Sequence, residues 1–185
     1  MRRLIGIVAA AGMAWNAMGQ QAAAPAPDAT SKATKQAGPV MIKIESRGFT
    51  MEYRADSANF VGKLSYRTAG WVSVGFNPAK KMKDADIIIG YAGTNGESVV
   101  ADHFGVTPTS HKPDTAIGGQ NSIVEGRCEE KDGVTTMWFT IPLVSGDAKD
   151  SKIEAGKEVP AIFAAGKKDD LASKHSAVAS VILKL

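Results

Sequence analysis

The chain has one cysteine, Cys128, and so cannot form a disulfide within itself. In IVEGRCEE the apolar face of a strand would carry Val124, Gly126 and Cys128, which makes a half-buried, inert thiol the expectation and an intermolecular bridge the alternative. Other absences exclude whole chemistries. There is no HExxH, hence no zincin, no GxSxG, and no glycine-rich phosphate loop opening a helix. There is no CxxCH, so heme cannot be attached covalently in the usual way. No sequence repeat recurs at a fixed period, which argues against a propeller. No long stretch carries helical period; the only short helix candidate runs from Lys168 to Ser173. No excess of one charge sign points to nucleic acid: without the two arginines of the first 19 residues the formal charge falls from +3 to about +1.

What is present begins with an address. Arg2 and Arg3 precede an apolar stretch, Leu4 to Trp15, and Ala17-Met18-Gly19 places small residues where a signal peptidase cuts. The stretch is short for a bilayer span, so a cleaved secretory signal over residues 1–19 is expected, with an uncleaved anchor as the alternative. No cysteine follows the cut, which argues against a lipoprotein, and no membrane span remains after it. Residues 20–38, QQAAAPAPDATSKATKQAG, contain no large apolar side chain and read as a flexible tether. Residues 39–185 are about one domain's worth of chain, expected in the periplasm or outside the cell.

Most of that domain has period two. FTMEYR alternates Phe49, Met51 and Tyr53 with polar residues; VTTMWFTI puts Thr135, Met137, Phe139 and Ile141 on one face; AVASVILKL puts Ala177, Ala179, Val181 and Leu183 on one face. Asn95-Gly96 and Asp132-Gly133 sit between such runs and accept the positive φ of tight hairpins. The expected fold is therefore all-β, an antiparallel β-sandwich, with an up-and-down barrel as the alternative.

Candidate chemistry is sparse. Asp84 and Asp86 would share a strand face as a general acid–base pair, but charged residues at the start of a strand are usually solvated. Gly118-Gly119-Gln120 reads as a turn. No nucleophile stands with its base, so a non-enzymatic role is expected. Met82 is the residue out of place. Met41, Met51 and Met137 lie in alternating runs, whereas Met82 sits among Lys80, Lys81, Lys83 and Asp84. A thioether is a soft, neutral donor, and with an imidazole it can hold heme iron or copper. The residues alone do not say which of His103, beside a strand end, His111, in a loop, or His175, before the last strand, would join it.

The ordered pattern GWVSVGFNP, MKDADIIIGY, GGQNSIVEG, DGVTTMWFTIPL, Gly146-Asp147 and a late histidine resembles the DOMON domain family, and within it the cytochrome domains that bind heme b. The likeness runs from about Phe49 to Leu185 and is densest from Gly70 to Tyr91. It implies an immunoglobulin-like β-sandwich carrying non-covalent heme b, with Met82 and His175 as the axial ligands of the iron and no ligand role for His103 or His111. Two protein ligands leave no open position for oxygen chemistry, so single-electron transfer is implied. The redox partner would be a membrane b-type cytochrome or a flavin dehydrogenase. Lys80, Lys81 and Lys83 would lie near the heme propionates or steer an acidic partner. Because other DOMON domains are thought to bind sugars, Trp71 and Trp138 stacked on a glycan form the rival reading; a copper carrier and a ligand-free structural sandwich are further ones.

Overall fold

A computed structural model describes residues 40–154 and 156–185; the expected signal (1–19) and tether (20–38) lie outside the described residues. Eleven strands are formed: β1 (Ile42–Ser46), β2 (Phe49–Ala55), β3 (Asn59–Tyr66), β4 (Val72–Phe76), β5 (Asp86–Ala92), β6 (Ser98–Thr107), β7 (Ser110–Pro113), β8 (Glu125–Lys131), β9 (Val134–Pro142), β10 (Glu158–Ala165) and β11 (Ala177–Lys184). Among the described residues the one helical element is a 3-10 turn, Asp114–Ile117. The strands make two antiparallel sheets, ordered β1-β2-β3-β9-β8 and β11-β10-β4-β5-β6-β7. The architecture is the immunoglobulin-like sandwich, not the barrel.

Alternation sorts the side chains as the sequence implies. Phe49, Met51 and Tyr53 of β2, Met137, Phe139 and Ile141 of β9, and Ala179 and Leu183 of β11 all enter one buried core. Phe60 stacks near Tyr53 with ring centroids 5.7 Å apart and meets Phe76 of the other sheet edge-on at 5.2 Å. Two polar contacts tie the sheets. The Tyr53 hydroxyl donates to the Lys184 carbonyl (3.1 Å) and accepts from the Lys184 N–H (2.9 Å). The buried Thr135 hydroxyl reaches the carbonyls of Thr68 and Gly70, the latter at 2.8 Å.

The two expected hairpin turns are present: Gly96 has φ 83°, and Asp132 and Gly133 are both at positive φ between β8 and β9. Arg47 and Gly48 make a third such turn between β1 and β2. Several local expectations need correction. Lys168–Ser173 is not helical: the Asp170 carboxylate takes the N–H groups of Ala172 and Ser173 in a side-chain turn, and the Lys168 carbonyl accepts from Trp71. Val124 does not share the buried face with Cys128 but is 59% exposed. Cys128 is buried rather than half-buried, and burial pushes its thiol up to about 12, leaving it inert. Asp84 and Asp86 do not share a face. Asp84 is exposed in the β4–β5 turn at φ 62°, 3.4 Å from Lys83, whereas Asp86 opens β5 and is buried instead of solvated.

Candidate functional site

The six-stranded sheet is apolar on both faces. Its inner face gives Val72, Val74, Phe76, Ile88, Ala161 and Phe163 to the core. On its outer face, Ile87 and Ile89 of β5 combine with Trp71 and Ala85 in a second buried cluster, to which Ala101, Ile162 and Ala164 add their side chains. A sheet with solvent on one side would alternate apolar with polar; β5 instead reads Ile87-Ile88-Ile89, the pattern of a strand covered on both faces.

Two connections provide the cover. The first is the β4–β5 loop. The Lys83 N–H donates to the Lys80 carbonyl (3.0 Å) and the Ala79 N–H to the Lys83 carbonyl (2.9 Å), closing a tight turn with Lys81 at φ 54°. Met82 lies in that turn. It is half-buried against the outer apolar cluster, while Lys80, Lys81 and Lys83 are exposed. The loop folds back over β6 because residue 105 has no side chain: a Cβ on Gly105 would lie 1.6 Å from the Met82 carbonyl oxygen. The Asp84 N–H bonds the Gly105 carbonyl at 2.7 Å and fixes the approach.

The second connection, residues 166–176, joins β10 to β11. Trp71 anchors it: the Gly166 N–H donates to the Trp71 carbonyl (2.9 Å), and the Trp71 indole N–H donates to the Ser173 hydroxyl (3.0 Å). Leu171 rests on the same outer cluster as Met82. His175 follows at the end of the connection, half-buried, beside Ser176, whose N–H bonds the Ala165 carbonyl at 2.7 Å.

The two connections leave opposite ends of the sheet. β4 and β10 are antiparallel neighbours with Val72 opposite Ala165 and Phe76 opposite Ala161, so the turn after Phe76 and the turn after Ala165 lie at the two ends. About 13 Å of strand separates them at the usual rise per residue. Met82 thus packs on the apolar cluster from one end, and the connection that ends in His175 covers it from the other through Leu171. Antiparallel pairing sets the two loops at opposite ends of the sheet rather than together at one end. Met82 supplies a soft thioether donor to this cluster, and His175 is the imidazole nearest in sequence to the second covering connection. The face is mostly apolar, with buried Ser73 opposite Ile89 and buried His103 opposite Ile87 as its polar members, and a thioether with an imidazole is a donor pair that can hold heme iron.

The other histidines form their own pair. His103 lies within β6 and His111 within β7, rather than at a strand end and in a loop; their Nδ1 atoms are 2.8 Å apart, one ring donating to the other. His103 is only 5% exposed, and its pKa is pushed down to about 4 by burial and by His111; burial also lowers that of His111. Trp71 and Trp138 are both engaged. Trp71 is buried, and the Arg127 guanidinium lies 3.5 Å from the centre of the Trp138 ring.

Sequence reasoning missed the outer face itself and a group of buried aspartates on the opposite side of β5. The run Ile87-Ile88-Ile89 carried the first signal. The second had none, because its members are scattered along the chain.

Comparison with known proteins places the fold. Residues 45–166 match the DOMON domain family. No curated protein matches the chain. Among solved structures, the cytochrome domain of cellobiose dehydrogenase from Myriococcum thermophilum is similar over 78% of this chain and 81% of that one, with a TM-score of 0.53 and 12% identity. At that identity the likeness is one of fold.

Proposed function

Because the chain belongs to the DOMON domain family, we propose that it is an exported b-type cytochrome domain that passes single electrons and transforms no substrate. The observation that carries this reading is the outer face of the six-stranded sheet: an apolar surface with Met82 at one end and the His175 connection at the other. Met82 and His175 are the proposed axial ligands of a non-covalent heme b. When bound, heme supplies a one-electron iron couple, and a thioether ligand favours its reduced form. The chain's own side chains do the rest. Ile87, Ile89, Ile162 and Trp71 exclude water from the site, which sets the local dielectric. Gly105 lets the Met82 turn sit close to the sheet. The exposed Lys80, Lys81 and Lys83 ring that turn with positive charge, suited to propionates or to an acidic partner.

The fold neighbour is the cytochrome domain of a dehydrogenase, which supports a dehydrogenase as the electron donor; a membrane b-type cytochrome is the other partner class. Residues 1–19 would be the export signal, 20–38 a tether, and 39–185 the heme domain, in the periplasm or secreted. Among the described residues no helix is long and apolar enough to cross a membrane. The carbohydrate reading loses its stacking surfaces, with Trp71 buried and one face of Trp138 taken by Arg127.

Hemin titration of the heme-free protein, followed at the Soret band, tests the proposal. Saturation at one hemin per chain is expected, and its loss in both Met82→Ala and His175→Ala. A protein that takes up no hemin but binds Cu(I) or a glycan, with affinity for the glycan unchanged in Met82→Ala, would replace the reading with the corresponding rival.

A further inference from the structure

A second site lies on the other side of the same strand. Asp86, which opens β5, points away from the outer apolar cluster that holds its neighbours Ala85 and Ile87. One carboxylate oxygen from each of Asp86, Asp102 and Asp150 lies within 4.8 Å of the others. Two oxygens ligating one Ca2+ at about 2.4 Å are at most about 4.8 Å apart, so a single ion can touch all three. Asp86 and Asp102 are 4% and 5% exposed. Each spends one oxygen on a backbone N–H, Asp86 on Ser151 (3.0 Å) and Asp102 on Ser122 (2.8 Å), which fixes the carboxylate; the other oxygen of Asp102 has no partner among the described residues.

A separate element supplies an independent observation. Asp114, in the 3-10 turn after β7, is 1% exposed, and neither of its carboxylate oxygens has a hydrogen-bond partner among the described residues. A buried carboxylate without partners costs several kcal/mol unless it is neutralised or ligates a cation. It packs at Gly119 against Asp147 and Lys149, the segment that leads into Asp150. Gly119 permits this: a Cβ there would come within 3.1 Å of both the Asp114 Cβ and an Asp147 oxygen. Both oxygens of Asp150 are likewise buried and unpartnered. The nearby base is Lys149, whose ammonium lies over the Phe104 ring at 5.1 Å.

We propose that Asp86, Asp102 and Asp150, with the unpartnered Asp114 beside them, form a binding site for a hard divalent cation, Ca2+. The donors are all oxygens, with no thiolate or imidazole among the four, which selects Ca2+ or Mg2+ over zinc and copper. Carboxylates from separate segments suit the flexible, high-coordination shell of Ca2+ better than the strict octahedron of Mg2+. Burial, and for Asp102 and Asp114 the mutual repulsion of the group, raise these carboxyls: Asp102 to about 6, Asp114 to about 7 and Asp86 well above its usual range. The ion would staple the β9–β10 connection and the 3-10 turn to the starts of β5 and the centre of β6, and is independent of whether the outer face holds heme.

The test uses the full exported chain, stripped of metal with a chelator. Calorimetric titration with CaCl2 is expected to give one Ca2+ per chain. The melting temperature should rise with the logarithm of Ca2+ concentration above the dissociation constant, by mass action on the folded state. Asp114→Asn and Asp150→Asn should each weaken binding roughly tenfold or more, yet melt no lower than wild type in EGTA, because each removes an unpartnered charge. No heat of binding and an unchanged melting temperature up to about 10 mM Ca2+ would overturn the proposal, as would a Ca2+ response retained in both variants. A colourless protein that binds Ca2+ leaves it standing.

Discussion

The two faces of β5 set up opposite chemistries four residues apart. On the outer face, Met82, Ile87 and Ile89 make a surface of soft and apolar groups; on the inner rim, Asp86 joins three other carboxylates whose donors are all hard oxygen. A strand that reverses direction with every residue can serve both, provided each face is closed by its own loops. The outer face is closed by the β4–β5 and β10–β11 connections, and the acidic rim by the β9–β10 connection and the 3-10 turn. The lesson is one of separation. An apolar surface bearing a thioether needs to stay dry, and a carboxylate group needs charge compensation, and the two lie on opposite sides of one sheet.

The largest expected effect breaks the two sites apart. Met82→Ala and His175→Ala should each abolish the six-coordinate low-spin heme spectrum while leaving the calcium response intact. His103→Ala and His111→Ala should retain the spectrum, and heme loss in either would move the ligand to the His103–His111 pair. Asp114→Asn should do the reverse, losing calcium and keeping heme.

Gly105→Ala comes next. A methyl group 1.6 Å from the Met82 carbonyl must push the turn off the sheet, so weakened heme retention and a loss of about 1–3 kcal/mol in a denaturant melt are expected. Unchanged heme affinity would mean that the turn does not set the position of Met82.

A smaller effect concerns pH. Asp114 is raised to about 7 in the folded state and titrates near 3.8 when unfolded. Between those values the folded, metal-free protein binds the extra proton, so the contribution of Asp114 to stability is fully present below about pH 4 and is lost as pH rises toward 7. His103, lowered to about 4, works in the opposite sense, losing stability as pH falls below its ordinary 6.5. The difference between wild type and Asp114→Asn isolates the carboxylate: wild type should lose stability relative to the variant from pH 4 to 7 without Ca2+, and the loss should vanish with it. The smallest effect is that of Lys80, Lys81 and Lys83→Gln, expected to reduce the salt dependence of electron transfer to an acidic partner and to leave the spectrum unchanged.

Which parts were legible follows from how each signal is spread along the chain. The sandwich was readable because period-two runs such as FTMEYR and VTTMWFTI name their buried faces locally. The Asn95-Gly96 and Asp132-Gly133 turns were readable because their φ requirement is local. Met82 stood out because a thioether among lysines has no local reason. The covered outer face was harder, since Ile87-Ile88-Ile89 says only that both sides are buried and not by what. Lys168–Ser173 looked helical because the capture of backbone N–H groups by Asp170 is a three-dimensional fact. The aspartate group was invisible: Asp86, Asp102, Asp114 and Asp150 come from four segments, and each alone looks like an ordinary surface acid.

The central claim, a heme on the outer face of the six-stranded sheet, is tested most directly by the visible spectrum of the protein exported with ample heme, oxidised and then reduced with dithionite. The account predicts a sharp Soret band with split α and β bands on reduction, the mark of six-coordinate low-spin iron. A protein that stays colourless and takes up no added hemin would contradict it.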